Sequence, residues 1–139
     1  MWFRQGGFVN ILVISDLHIC NGDEFGTFGW KADEFIAQLE KIKTDLHVEK
    51  VFLNGDIYEL MKYSFKEIAE ANPKLIEYFN RSEFIYIKGN HDVICESGED
   101  FFLIENSEGK SILIEHGHNA DFLNGTLLGR FIGNLGSIF

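Results

Sequence analysis

The stretch that decides the fold is Val51-Phe52-Leu53-Asn54-Gly55-Asp56, a short apolar run that ends in polar residues. The same arrangement occurs three more times. Ile11–Ile14 runs into Ser15-Asp16-Leu17-His18, Phe84–Ile87 leads to Gly89-Asn90-His91-Asp92, and Ile112–Ile114 leads to Glu115-His116-Gly117-His118. Continuous apolar runs of this length indicate strands that are buried on both faces. Each predicted strand therefore delivers polar side chains at its carboxyl end.

Helical patterns separate the first three of these strands, of which the first is read from Phe8 to Ile14. Between residues 35 and 46, apolar side chains recur at the spacing of an amphipathic helix. Before the third strand, Ser64 and Glu67 form a capping-box pattern, and residues 72–79 begin with Asn-Pro and read as a further helix. Helical connections predict that the three strands pair in parallel.

The pattern changes after the third strand. Segments 101–105 and 111–115 flank a five-residue loop that contains Gly109, as in an antiparallel hairpin. The predicted fold class is therefore α/β, with a parallel βαβαβ start followed by an antiparallel hairpin. A length of 139 residues fits a single domain over residues 1–139.

The net charge and the composition indicate which kinds of molecule the protein binds and where it is located. The net charge of -10 argues against a nucleic-acid polymer and is compatible with a small phosphorylated substrate bound through metal ions. Two scattered cysteines, Cys20 and Cys95, do not suggest a disulfide framework. No segment reaches the roughly 18 to 20 apolar residues of a membrane span, and the amino terminus lacks the pattern of a signal peptide. We expect a cytoplasmic protein.

Polar residues after parallel strands gather at one edge of the sheet. The residues expected to meet there are Asp16, His18, Asp56, Asn90, His91 and His116. After any one strand such residues are ordinary turn formers, but four strands share the feature. Carboxylate, imidazole and amide donors suit Mn, Fe, Zn, Ni or Mg ions. Two such ions, about 3.5 to 4 Å apart and sharing a carboxylate and a hydroxide, would hydrolyse a phosphate ester or anhydride.

These motifs resemble those of the calcineurin-like metallophosphoesterases. The family pattern is D-x-H, G-D-x-x-(D/E), G-N-H-(D/E) and a lone H. It appears here as Asp16-Leu17-His18, Gly55-Asp56-Ile57-Tyr58-Glu59, Gly89-Asn90-His91-Asp92 and His116. The resemblance implies an α/β/β/α sandwich that hydrolyses a phosphomonoester, a phosphodiester or a pyrophosphate. It also implies two divalent metal ions, with manganese favoured over iron, zinc, nickel or magnesium.

The resemblance also implies a ligand set. Asp16 and His18 would hold the first metal, Asp56 would bridge both metals, and Asn90 and His116 would hold the second.

The remaining motif residues would act on the substrate or support the ligands. His91 would be a general acid or a phosphate contact with Asp92 as its orienting carboxylate, and Asn90 would also touch the substrate. Glu59 is either a hydrogen-bonded partner of the ligands or a structural residue. His118 either faces the substrate or metal or is a partly exposed loop residue. We expect His47 to lie on the surface and Cys20 to be a small apolar filler.

The sequence departs from the family at its last motif, Gly-His-x-His. Gly117-His118-Asn119-Ala120 ends in alanine, and residues 122–139 form an apolar run punctuated by glycine. We expect a domain incomplete at its C-terminus, in which 122–139 closes a short domain or begins a cap or a missing second half. This apolar region could support self-association. The alternatives are a non-catalytic scaffold for protein binding, or an inactive fragment of a longer phosphoesterase.

Overall fold

A computed structural model of the chain describes residues 2–4, 10–22, 26–95, 97–106 and 108–118. The predicted features of residues 122–139 lie outside this part of the chain. Within it, the elements in chain order are β1 Trp2–Arg4, β2 Ile11–Ile14, α1 Ala32–Asp45, β3 Lys50–Asn54, α2 Phe65–Ala71, α3 Pro73–Phe79, β4 Phe84–Ile87, β5 Phe102–Glu105 and β6 Ser111–Ile114.

The first sheet is parallel and has the strand order β2-β3-β4. Ile11 lies opposite Lys50, and Val51 lies opposite Phe84. Helix α1 connects β2 to β3, while α2 and α3 connect β3 to β4. The predicted parallel βαβαβ start is therefore confirmed. The predicted strand from Phe8 is described only from residue 10, and its paired part is Ile11–Ile14.

Local sequence signals determine where α2 and α3 begin. The Ser64 hydroxyl accepts a hydrogen bond from the Glu67 backbone N–H, and the Glu67 carboxylate accepts one from the Ser64 N–H at 2.8 Å. These two bonds satisfy amide groups that would otherwise have no partner at the start of α2. Helix α3 begins at Pro73, where a missing N–H costs nothing.

The second sheet has the order β1-β5-β6. Strands β5 and β6 are antiparallel, with Phe102 opposite Ile114, so the predicted hairpin is confirmed. The Asn106 side-chain oxygen accepts the backbone N–H groups of Glu108 and Lys110 and shapes the loop between these strands. Strand β1 was not predicted; it pairs in parallel with β5 across about a hundred residues of sequence.

Two apolar clusters show how the layers stack. Alternate residues of the parallel sheet, such as Leu53, pack against the helices, whereas Phe52 faces the other way. On that other face, Phe52 and Ile87 pack against Phe102 and Ile114 of the second sheet. The described residues therefore form a helix layer, a parallel sheet and a second sheet, which are three of the four layers of the predicted α/β/β/α sandwich. The helices of this part of the chain include none with the length and hydropathy of a membrane span.

Candidate metal centre

The loops that carry the predicted donors lie together at one end of the sandwich. Asp16 and His18 follow β2, Asp56 follows β3, His91 follows β4 and His116 follows β6. Backbone hydrogen bonds join the first two loops, from the Asp16 N–H to the Gly55 carbonyl at 3.1 Å and from the His18 N–H to the Asp56 carbonyl at 2.9 Å. These bonds fix the relative positions of donors that are far apart in sequence.

Three of the donors have an unusual backbone conformation. Asp16, His18 and Asp56 have φ angles of 58°, 47° and 54°. This left-handed region is unfavourable for residues with a Cβ atom, and such strain tends to occur at functional sites. Asp16 and Asp56 each lie two residues beyond the end of a strand, and His18 lies four residues beyond the end of β2. The surrounding hydrogen bonds must offset the strain.

The donor atoms form two groups that share one carboxylate. His18, Asp56 and His91 offer atoms within 4.8 Å of one another, and so do Asp16, Asp56 and His116. The shared residue, Asp56, is only 4% exposed. One of its carboxylate oxygens lies 3.4 Å from His116 Nε2 and 3.9 Å from His18 Nε2. Asp16 belongs to the group of His116, and one of its carboxylate oxygens also lies 4.0 Å from His18 Nε2, the histidine with which the family resemblance places it.

Hydrogen bonds orient all three histidines in the same way. His18 Nδ1 and His91 Nδ1 contact the Glu59 carboxylate at 3.2 and 2.8 Å, and His116 Nδ1 contacts the Asn54 carbonyl at 2.9 Å. Because these oxygens can only accept, each Nδ1 must carry a proton. A ring with its only proton on Nδ1 presents the Nε2 lone pair. Histidine ligands of metals are typically held in this tautomer by such partners.

Glu59 is the carboxylate beside His91. Its side chain is 9% exposed, and its two oxygens contact two different histidines, His18 and His91. The rings of these histidines lie 4.6 Å apart at 88°. The resemblance assigned the position beside His91 to Asp92, but the structure gives it to Glu59. Glu59 was expected to be either a hydrogen-bonded partner of the ligands or a structural residue, and the structure shows it as a hydrogen-bonded partner of two histidines.

Asp92 contacts backbone amides instead. Its carboxylate accepts four N–H groups, from Gly89 at 2.6 Å, Ile57 at 2.7 Å, Asp56 at 3.2 Å and Tyr58 at 3.3 Å. The side chain is fully buried. Asp92 therefore joins the loop after β4 to the loop after β3, because a buried carboxylate needs several donors to replace its hydration.

The surroundings of Asp92 also affect two buried phenols. Burial raises the pKa of Tyr86 far above its ordinary value, and the negative charge of Asp92 raises it further. The pKa of Tyr58 is raised in the same direction, again first by burial. Both phenols therefore remain neutral beside the carboxylate at physiological pH.

Two glycines allow the loops to approach closely. A Cβ atom at Gly55 would overlap the His116 ring, and a Cβ atom at Gly89 would overlap the backbone nitrogen and carboxylate of Asp56. Any other residue at these positions would push a donor away from the centre. Both glycines of the motifs thus have a steric reason, and Gly55, with a φ of 82°, has a conformational one as well.

Asn90 and His118 are the two remaining residues with a predicted role at the centre. Asn90 is half-buried, directly before His91, whose N–H donates to an Asp56 carboxylate oxygen at 2.9 Å. Its role as a metal ligand or substrate contact stays a prediction. His118 is 7% exposed, and its ring centroid lies 5.7 Å from that of His116. It is therefore not an exposed loop histidine, while its predicted contact with substrate stays a prediction.

The outlying residues behave as expected. His47 is exposed just after α1, and Cys20 is buried and accepts a hydrogen bond from the Gly22 N–H. Sequence reasoning missed the contact of the Asn54 carbonyl with His116. The available signal was the position of Asn54, the last residue of β3 and two residues before Asp56.

The acidic residues of the centre favour the binding of cations. Asp16, Asp56 and Glu59 are acidic, and the ion-pair partners that the described residues give them are histidines. Asp56 and Glu59 are buried, and buried carboxylates repel one another unless positive charge is supplied. Nitrogen and oxygen donors without thiolate suit borderline or hard divalent ions. The residues present therefore fit a metal centre.

Comparison with known proteins agrees with this chemistry. A family model described as calcineurin-like phosphoesterase matches residues 9–136, a range that contains all the donors described above. No curated protein and no solved structure gave a significant match. The family hydrolyses phosphoesters with the help of metal ions. The match covers most of the chain, which therefore belongs to the calcineurin-like phosphoesterase family.

Proposed function

We propose that the chain hydrolyses a phosphate ester or pyrophosphate of a small molecule at a centre that holds two divalent metal ions. The observation that supports this most directly is the pair of donor groups that share the buried carboxylate of Asp56. A carboxylate common to two groups is what a dinuclear centre needs. The strained backbone of three of the donors supports the same proposal.

The proposed ligands are Asp16, His18, Asp56, Asn90 and His116. Divalent ions bound there, with manganese favoured over iron, zinc, nickel or magnesium, would neutralise phosphoryl oxygens and activate a water molecule. The protein contributes the fixed orientation of the ligands. The Glu59 carboxylate and the Asn54 carbonyl hold the Nδ1 protons of His18 and His116 and leave Nε2 of each ring as the donor.

His91 is the proposed general acid. Its Nδ1–H is held by Glu59, so in its protonated form the second proton lies on Nε2, from which it would pass to the leaving oxygen of the substrate. The contact with the Glu59 carboxylate fixes the direction of the ring. His91 also lies within the reach of the first donor group, so the assignment needs a test that separates metal binding from proton transfer.

The test uses the manganese-loaded chain with p-nitrophenyl phosphate and bis-p-nitrophenyl phosphate. We expect Asp56→Asn to lose bound metal and turnover together. We expect His91→Asn to keep metal and lose about 10²- to 10⁴-fold in turnover, the usual effect of a general acid. The exposed residues Asp45 and His47 allow the matched controls Asp45→Asn and His47→Asn, which should turn over normally. Equal turnover of all variants would exclude the proposed hydrolysis.

The second candidate is a non-catalytic scaffold for protein binding. The feature that favours it is the apolar surface of strand β6, where Ile112 and Leu113 are 58% and 54% exposed. Exposed apolar strands commonly mark contact surfaces. Metal content separates the two candidates, because a scaffold has no need to bind metal. A folded, metal-free and inactive protein that still binds a partner would favour the scaffold.

A further inference from the structure

A recess lies beside the candidate metal centre, between the loop that follows β2 and the junction of α2 and α3. Its volume is about 320 Å³, and Cys20, Phe28, Trp30, Lys31 and Asn72 are among the residues that line it. We call this cavity the aromatic recess. Its volume is at the lower end of the range of ligand pockets, so it suits one ring system better than an extended group.

The aromatic recess lies at the same end of the sheet as the metal donors. Ile19 and Cys20, which line it, directly follow His18, so the Cα atom of Cys20 lies within about 8 Å of that of His18. The Ile19 N–H donates to the Ile57 carbonyl, and the Glu59 N–H donates to the Ile19 carbonyl. These bonds hold the inner wall of the recess against the loop that carries Asp56.

The wall of the recess is rich in aromatic surface. Phe35 of α1 packs edge-on against Phe28 at 5.2 Å and against Trp30 at 6.2 Å, so both rings are supported from behind. Trp30 nevertheless remains 54% exposed. The Asn72 amide donates to the Cys20 carbonyl at 2.6 Å and fixes the floor. A supported tryptophan with an open face is suited to stack on a flat ligand.

Charge also favours a phosphorylated ligand. The Lys31 side chain is 84% exposed, and its ammonium group contacts Glu34 only at 3.6 Å. Because this ion pair is long and exposed, little free energy opposes turning the ammonium toward an anion. The recess therefore offers a ring-binding wall and an exposed positive charge near an acidic centre that would bind phosphate only through metal ions.

We propose that the aromatic recess binds a planar aromatic or heteroaromatic ring of the substrate while the phosphate lies at the metal centre. This inference rests on the proposed function, because it takes the phosphate to be held by the metals. The substrate class is then an aryl phosphate or a nucleotide, in which a ring is attached to the phosphate directly or through a sugar. An aliphatic phosphate would leave the recess unused.

The test compares ligands that differ in the ring. Isothermal titration of the manganese-loaded chain with AMP, phenyl phosphate and ribose 5-phosphate measures binding, and chromatography afterwards shows whether each probe is intact. We expect AMP or phenyl phosphate to bind about tenfold more tightly than ribose 5-phosphate, the effect of one stacked ring. If AMP binds more tightly than phenyl phosphate, the ring belongs to a nucleotide. If phenyl phosphate binds more tightly, the ring belongs to an aryl phosphate.

Variants connect this preference to the recess. Trp30→Ala should remove the tenfold preference, and Trp30→Phe should retain most of it because a ring remains. Leu46→Ala removes an equally exposed apolar side chain at the other end of α1 and should retain all of it. Equal binding of all three probes to the unaltered chain would overturn the inference without any variant. The inference would also be overturned if the Trp30→Ala protein still bound AMP or phenyl phosphate about tenfold more tightly than ribose 5-phosphate.

The same data separate this inference from the proposed hydrolysis. If the chain binds AMP or phenyl phosphate preferentially but does not cleave p-nitrophenyl phosphate, ring binding in the aromatic recess is supported and the proposed hydrolysis is excluded. If the chain hydrolyses phosphate esters but binds the three probes equally, the proposed hydrolysis is supported and ring binding in the aromatic recess is excluded.

Discussion

Replacing Asp92 by asparagine tests the role that the structure gives to this buried residue. One carboxylate oxygen accepts the N–H groups of Asp56 and Gly89, and the other accepts those of Ile57 and Tyr58. An asparagine has only one acceptor oxygen, so in either orientation its NH₂ group faces two backbone donors. The variant therefore loses two hydrogen bonds to a charged group and leaves two amide groups without an acceptor.

The expected cost follows from these two bonds. A hydrogen bond to a charged group contributes about 1.5 to 3 kcal/mol, so the loss of two amounts to about 3 to 6 kcal/mol. Removing a buried negative charge offsets part of this loss. We expect Asp92→Asn to lower the free energy of unfolding by about 3 to 5 kcal/mol, a large part of the 5 to 15 kcal/mol typical of a domain.

Urea unfolding followed by circular dichroism measures this difference. The matched control is Asp45→Asn on the exposed end of α1, which should change the free energy of unfolding by less than about 0.5 kcal/mol. Metal titration of the folded variant should also show weaker binding, because the loops that carry Asp56 and His91 are joined by Asp92. A destabilisation of less than about 1 kcal/mol would refute the reasoning.

Three further substitutions follow from the geometry. Gly89→Ala should weaken metal binding and destabilise the fold, because the new Cβ would overlap Asp56; metal titration and thermal unfolding measure both effects. Glu59→Gln should lower turnover or metal affinity by about 10- to 100-fold, because one amide NH₂ would face a histidine Nδ1–H. Glu40→Gln should make unfolding less sensitive to acid. The hydrogen bond from Lys43 lowers the pKa of Glu40 below 4.5, so its contribution is present above pH 4.5 and is lost as pH falls through the lowered pKa.

Each of these substitutions has a control and an outcome that would count against it. Gly109→Ala meets open space at a positive φ and should cost backbone strain without loss of metal; equal metal affinity of the Gly89 and Gly109 variants contradicts the steric argument. Glu108→Gln lies in an exposed turn and should leave turnover unchanged. For Glu40→Gln, unfolding free energies at pH 7 and pH 3 are compared, and an unaltered difference between them would exclude the link to Lys43.

Local features of the fold could be predicted because they depend on neighbours in sequence. The alternation between strand and helix periodicity identified the parallel start and the hairpin. The capping box at Ser64 and the proline at residue 73 located two helix starts. The polar residues after the strands were also predictable as a group, since the carboxyl ends of parallel strands must lie at one edge. These inferences need no knowledge of how loops pack.

Contacts between loops were decided only by the tertiary structure. Asp92 is adjacent to His91 in sequence, yet its carboxylate turns toward backbone amides, while Glu59 reaches His91 from another loop. Strand β1 finds its partner β5 about a hundred residues away. Neighbouring residues can point in opposite directions, and which group satisfies a buried charge depends on every donor within reach. Residue types at the centre follow from the sequence, whereas their pairing follows from packing.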